Sequence, residues 1–234
     1  MIIGINGKIG SGKDTVAKII EYLSCNMSSK ADWKYYNHPE KWYADINDGK
    51  YQFKWQVKKF AYAVKQICSI LTGIPVEDFE KEEVKDSYLG EEWDWGGQGH
   101  GPRYTVRQFM QMVGTNAMRD VIHPNVWVNA LMRQHKSVEI LPETDPGIIA
   151  YTPKYTYPNW LISDVRFPNE AKAIKDRNGI VIKIHRQHNR EGKVEHESET
   201  ALNGYEFDYI IQNTGTIEDL IVEVKQMLTH FNLI

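Results

Sequence analysis

Cysteine is scarce: Cys25 and Cys68 are the only two in 234 residues. No C-x-x-C spacing exists, so a zinc site or a dithiol redox motif has no support. Two isolated thiols fit a reducing compartment. Long apolar runs are missing too, and none approaches the ~20 residues that span a bilayer. The opening MIIGINGKIG lacks the basic start and long apolar stretch of a secretory signal. There is no basic surplus, with 28 Lys and Arg against 31 Asp and Glu and a formal net charge of −3. Proteins that coat nucleic acid usually carry such a surplus. These absences set the expectation of a cytoplasmic protein that works without nucleic acid and without a membrane. What is present is ordinary for a globular domain, at 41% hydrophobic and 25% charged residues. The length is enough to bury a real core.

Periodicity then divides the chain. Met1 to Asn6 reads as a buried strand, and Lys13 to Leu23 as a helix with Val16, Ile19, Ile20 and Leu23 on one face. Residues 26–56 are rich in Trp, Tyr, Lys and Asp and read as an insertion with a hairpin at Asp48-Gly49. A strand over Val57–Ala61, a helix over Tyr62–Leu71 and a loop region over 76–104 are expected next. Thr105 caps a helix to Asp120, and Asn125–His135 is another. Residues 138–158 hold prolines and few helical signals, so an exposed loop is expected. Trp160–Ser163 reads as a strand, Glu170–Arg177 as a helix, Ile180–His185 and Tyr205–Ile211 as strands, and Thr216–Leu228 as the last helix. Strands alternating with helices predict an α/β fold with a parallel sheet and right-handed crossovers. Ligands in such sheets bind beyond the carboxyl ends of the strands.

The chemistry is concentrated at such positions. Gly7-Lys8-Ile9-Gly10-Ser11-Gly12-Lys13-Asp14-Thr15 nearly matches G-x-x-x-x-G-K-[ST], between a predicted strand and a predicted helix. Gly7, Gly10, Ser11 and Gly12 would let backbone N–H groups wrap a phosphate, and Lys13 would reach the β- and γ-phosphates. The pattern departs at Asp14, where a hydroxyl usually binds Mg²⁺, with Thr15 following. A carboxylate is also a hard magnesium ligand, while an acid in a first helical turn is equally explained by the helix dipole. Either Asp14 or Thr15 could serve the metal.

Asp164 leaves the strand Trp160–Ser163, where a metal-orienting carboxylate belongs. Arg166 lies two residues on and could clamp a phosphate. Arg107 and Gln111 are spaced i, i+4 and share a helix face, with Asn116 and Arg119 beyond. An Arg and an amide one turn apart suit a monophosphate and a base edge, although a solvated helix face explains them as well. Arg186 and Arg190 open the polar segment HRQHNREGKVEHESET and could close over a nucleotide. His185, His188 and His196 fit no metal template. Asn213 and Gly215 follow the last strand, where they could meet an adenine, with Thr216 as a helix cap.

Taken in order, GKIGSGKDT at 7–15, KKFAYAVKQI at 58–67, TVRQFMQMVGTNAMRD at 105–120, VWVNAL at 126–131, SDVRFPNEA at 163–171, HESETAL at 196–202 and FDYIIQNTGTIEDL at 207–220 resemble the bacteriophage deoxynucleoside monophosphate kinases. These belong to the wider P-loop nucleoside monophosphate kinase group. The resemblance implies one P-loop kinase domain over 1–234. Its fold would be a three-layer α/β/α arrangement around a mainly parallel five-stranded sheet. The region 74–135 would bind the nucleoside monophosphate and 186–204 would form a lid. It implies ATP with Mg²⁺, and a deoxynucleoside monophosphate as acceptor. Lys13 would hold the donor phosphates, Arg107, Gln111 and Arg166 would sit at the acceptor, and Arg186 would be the lid arginine.

The expected reaction is ATP-dependent phosphorylation of a (deoxy)nucleoside monophosphate to the diphosphate. Two other readings stand beside it: a different small-molecule kinase on the same core, phosphomevalonate-kinase-like or dephospho-CoA-kinase-like, and a nucleotide-regulated binding module using the aromatic insertion. A homodimer, the bases accepted and the sugar preference stay open, and a phage-encoded chain would act in the host cytoplasm.

Overall fold

The computed structural model of the protein describes residues 1–25, 54–94, 103–140, 154–186 and 200–234. The chain divides into two compact units, Met1–Lys58 with His135–Ile234, and Lys59–Gln134.

The first unit is built on five parallel strands. β1 (Ile2–Asn6) lies at the centre, β2 (Trp55–Lys58) at one edge, and the spatial order is β2-β5-β1-β6-β7. Here β5 is Asn159–Ile162, β6 is Ile180–His185 and β7 is Tyr209–Gln212. Register pairs Ile3 with Leu161 on one side and with Ile180 on the other. Alternation along β1 sends its side chains to opposite faces. Ile3 and Ile5 join Ile19 and Ile20 of α1 (Lys13–Ser24) and Leu220, Val224 and Met227 of the C-terminal helix (Ile217–His230) in one buried cluster. On the other face a Cβ at Gly4 would come within 2.9 Å of Val165 and closer still to Ile174. Ile174 lies on the helix Pro168–Lys175. Helices therefore cover both faces, giving the expected three layers around a five-stranded parallel sheet. A parallel sheet buried on both faces needs near-continuous apolar strands, which IIGIN and IVIKIH supply.

The second unit is helical. It holds α2 (Tyr62–Thr72), a 3₁₀ turn at Val76–Glu80, α3 (Glu82–Asp86), a 3₁₀ turn at Glu91–Trp93, α4 (Val106–Gln111) and α5 (Val126–Met132). Phe79 is fully buried in it, and Trp93 meets Phe109 edge to face at 4.9 Å.

Several local expectations shift. The second strand is Trp55–Lys58, not Val57–Ala61, because Trp55 is buried in the core and anchors the strand two residues earlier. Trp55 and Gln56 thus belong to β2 rather than to the aromatic insertion, whose residues 26–53 lie outside the described residues. The stretch 76–94, expected as a loop, forms short helical turns and a bridge between Tyr88 and Thr105. Residues 95–102, with the glycine-rich run, are outside the description. The helix from Thr105 does begin with a capping box between Thr105 and Gln108, but it passes into a π-helix over Met112–Ile122. Wider i→i+5 turns move Asn116 off the face that a regular helix would give it. Within 138–158, β3 (Val138–Ile140) and β4 (Lys154–Thr156) pair antiparallel. The last strand begins at Tyr209 rather than Tyr205. The two C-terminal helices are α6 (Pro168–Lys175) and α7 (Ile217–His230).

Candidate active site

The chain turns out of the central strand β1 directly into Gly7–Thr15 and then into α1. Two glycines there are required by space. A Cβ at Gly7 would lie 2.9 Å from the Ile184 carbonyl oxygen and 2.5 Å from Ser11 Oγ. Gly12 has φ +97, and a Cβ on it would stand 2.7 Å from Asn213 Nδ2. Left-handed backbone at the N-terminus of α1 suits glycine. It also leaves that helix end with no side-chain cap, unlike α4 and α7, which Thr105 and Thr216 cap. An uncapped first turn presents backbone N–H groups and the positive end of the helix dipole, the usual setting for an anion.

Lys13 bends back over this loop, and its Nζ donates to Gly7 O at 2.7 Å and Lys8 O at 2.8 Å. Ser11 is 1% exposed, and its Oγ is a buried oxygen with no hydrogen-bond partner among the described residues. Such a group calls for an explanation in a native structure, and a polyphosphate wrapped by the loop would provide one. The narrow glycine cradle, the uncapped helix and the buried hydroxyl all fit a nucleotide triphosphate.

Asp14 is exposed at the first turn of α1, and its Oδ1 accepts from Ser163 Oγ at 2.9 Å. Asp164 is the next residue of the chain. The loop after β5 is fastened from two sides. Asn6 Nδ2 donates to Val165 O at 2.8 Å. Buried Glu170 accepts from the backbone N–H groups of Arg166 and Phe167 at 2.7 and 3.1 Å. Arg166 is thereby carried on a backbone fixed beside the carboxyl end of β1. Hard oxygen donors at Asp14, Thr15 and Asp164 have the chemistry of a magnesium site in which phosphate completes the shell. Among the described residues no group of three or more His, Cys, Asp or Glu is placed to hold a metal ion.

Asn213, expected beside an adenine, has a partner within the phosphate loop. It is 8% exposed, and its Nδ2 donates to Ser11 O at 2.8 Å. The amide therefore braces the phosphate loop. Beside it a cavity of about 300 Å³ is lined by Arg186, Asn213, Thr214 and Gly215. The structure thus brings Arg186, predicted from one loop, next to Asn213 and Gly215, predicted from another. Residues 187–199, including His188, Arg190 and His196, fall outside the described residues.

In the second unit Arg107 is held by carboxylates. Its Nη2 donates to Glu82 Oε2 at 2.7 Å and to Asp86 Oδ1 at 2.9 Å. Hydrogen bonds from Lys85 and then Arg107 hold the Glu82 carboxyl down at about 2. Gln111 ends α4, and Asn116 is exposed on the π-helix. Nearby, Glu80 takes both Lys65, at 2.5 Å, and Lys59, at 3.4 Å. Burial alone would raise the Glu80 carboxyl, but the two ammonium groups outweigh it and hold it below the ordinary value.

Ser163 and Glu170 escaped the sequence reading. A serine at a strand end carries no motif of its own, while Glu170 was legible only as a first-turn acid.

Among the described residues no helix is long and apolar enough to cross a membrane. A family model described as deoxynucleotide monophosphate kinase matches residues 97–224, more than half of the chain. The match includes the helix of Arg107, the Asp164–Arg166 segment and Asn213, and begins after the phosphate loop. Two viral proteins are similar over longer stretches. One, from Acanthamoeba polyphaga mimivirus and assigned as a deoxynucleotide monophosphate kinase, is 26% identical over 180 residues, covering 71% of this chain and 79% of that protein. The other, the deoxynucleoside-5'-monophosphate kinase of Escherichia phage T5, is 24% identical over 202 residues, covering 76% and 73%. With this model matching more than half of it, the chain belongs to the deoxynucleotide monophosphate kinase family.

Proposed function

We propose that the protein transfers the γ-phosphoryl group of ATP to a deoxynucleoside monophosphate, with the donor held by Gly7–Thr15 and the acceptor by Arg107, Gln111, Asn116 and Arg166. The observation that carries the reading is the phosphate loop itself: no room for a Cβ at Gly7 or Gly12, an uncapped helix end and a lysine folded over the loop.

An α-phosphate oxygen of the acceptor attacks the γ-phosphorus in line, and ADP leaves. The attacking oxygen is already ionised, so no general base is needed. Catalysis then rests on alignment and on charge placed around the transferring group. Lys13 moves its ammonium from the Gly7 and Lys8 carbonyls to the β- and γ-phosphates. Arg166 holds the acceptor phosphate, and Arg186 neutralises developing charge from beside Asn213. Bound Mg²⁺ would neutralise and orient the β- and γ-phosphates, with Asp14, Thr15 and Asp164 as its protein donors. Arg107 reaches the acceptor by exchanging Glu82 and Asp86 for phosphate. The reaction requires a site closed to water, since a wet site would hydrolyse ATP; the expected lid over 186–204 lies mostly outside the described residues.

The test is purified protein with ATP and Mg²⁺ against four deoxy- and four ribonucleoside monophosphates. ADP and a deoxynucleoside diphosphate are expected in equal amounts, with slow ATP hydrolysis when no acceptor is present. Rapid hydrolysis without acceptor, or no turnover with any monophosphate, would contradict the proposal.

A further inference from the structure

Ser163 follows β5 and is 2% exposed. Its hydroxyl donates to Asp14 Oδ1 at 2.9 Å. Its N–H donates to Lys58 O at 3.4 Å, continuing the ladder to β2. The hydroxyl therefore springs from a rigid part of the sheet. In the usual P-loop the residue after the lysine is a Ser or Thr on the metal, and the partner carboxylate comes from another segment. Here the loop carries the acid Asp14 ahead of Thr15, the strand end carries Ser163 ahead of Asp164, and a hydrogen bond joins Ser163 to Asp14.

We propose that Ser163 is the positioning residue for Asp14, and through it for the metal end of the donor site. The proposal rests on reading Gly7–Thr15 as the ATP site. An exposed aspartate in a first helical turn has several staggered rotamers. The helix dipole attracts its charge without choosing among them. A bond from a buried hydroxyl fixes one carboxylate oxygen and so aims the group. In this proposal Ser163 acts through Asp14 and is not itself a ligand of phosphate or metal. Were Asp14 only a helix-end acid, loss of Ser163 would lower stability and leave metal affinity alone.

The experiment titrates Mn²⁺, read by electron paramagnetic resonance of the free ion, into the full chain with ADP, and measures metal-free ADP binding separately. Ser163→Ala is expected to weaken Mn²⁺ binding in the ADP complex by roughly ten- to a hundredfold, the usual cost of losing a group that orients a metal ligand. Its metal-free ADP affinity should stay within about twofold, which also reports that the variant is folded. Ser163→Thr keeps the hydroxyl and should lose less than Ser163→Ala. Asp14→Asn should weaken Mn²⁺ binding at least as much, and adding Ser163→Ala to it should change little, as coupled residues require. Wild-type Mn²⁺ affinity in Ser163→Ala, a loss in Ser163→Thr as large as in Ser163→Ala, or independent effects of the two substitutions overturns the proposal. Absence of ADP binding by the unaltered chain is a different result, and overturns the nucleotide site beneath it.

Discussion

Asn213 Nδ2 donates to the carbonyl oxygen of Ser11 at 2.8 Å, so a residue 202 positions away holds the middle of the phosphate loop. The backbone of Asn213 continues the sheet as well, with its N–H on His185 O at 2.8 Å. One side chain thus ties the loop after β1 to the end of β7, and the shape of the donor site depends on the far edge of the sheet.

Asn213→Ala should therefore act on both stability and donor binding. It leaves a buried carbonyl without its amide, a cost of about 1–3 kcal/mol. Denaturant unfolding is expected to show that loss, and ADP affinity should fall with it. A variant that loses stability while binding ADP as before would separate Asn213 from the loop.

Gly12→Ala puts a Cβ into left-handed backbone 2.7 Å from Asn213 Nδ2. Strain of about 1–3 kcal/mol and displacement of the Asn213 amide are expected together. Isothermal titration should show severely weakened ADP binding in a chain that remains folded by circular dichroism.

Arg107→Ala tests the acceptor assignment. A hydrogen bond to a charged group contributes about 1.5–3 kcal/mol. The KM for the monophosphate should therefore rise roughly ten- to a hundredfold while the KM for ATP stays within about twofold. Equal effects on both substrates would instead assign Arg107 to holding α3 against α4 through Glu82 and Asp86.

Glu21 on α1 gives a pH signature. Burial pushes its carboxyl up to about 7, with the attraction of Lys18 only partly opposing. Between the ordinary value of 4.5 and about 7 the folded chain keeps a proton that the unfolded chain has lost. The stability from this group is full below the lower value and is lost as pH rises through the upper one. Glu21→Gln should consequently stabilise the protein by roughly 1–2 kcal/mol at pH 8 and have little effect at pH 4. Equal gains in denaturant melts at both pH values would remove the titration as the cause.

The sequence by itself determined the sheet core and the phosphate loop. IIGIN and IVIKIH are near-continuous apolar runs of the kind a strand covered on both faces needs, and the glycines with Lys13 stand in one short stretch whose chemistry is local. It likewise determined the caps at Thr105 and Thr216, since a capping box spans three residues. Tertiary structure alone decided that Asn213 braces Ser11, that Ser163 meets Asp14 and that Arg186 shares a cavity with Gly215. Those pairings join segments far apart in the chain, and no local periodicity carries them. The parallel sheet makes them, by bringing the carboxyl ends of its strands to one edge.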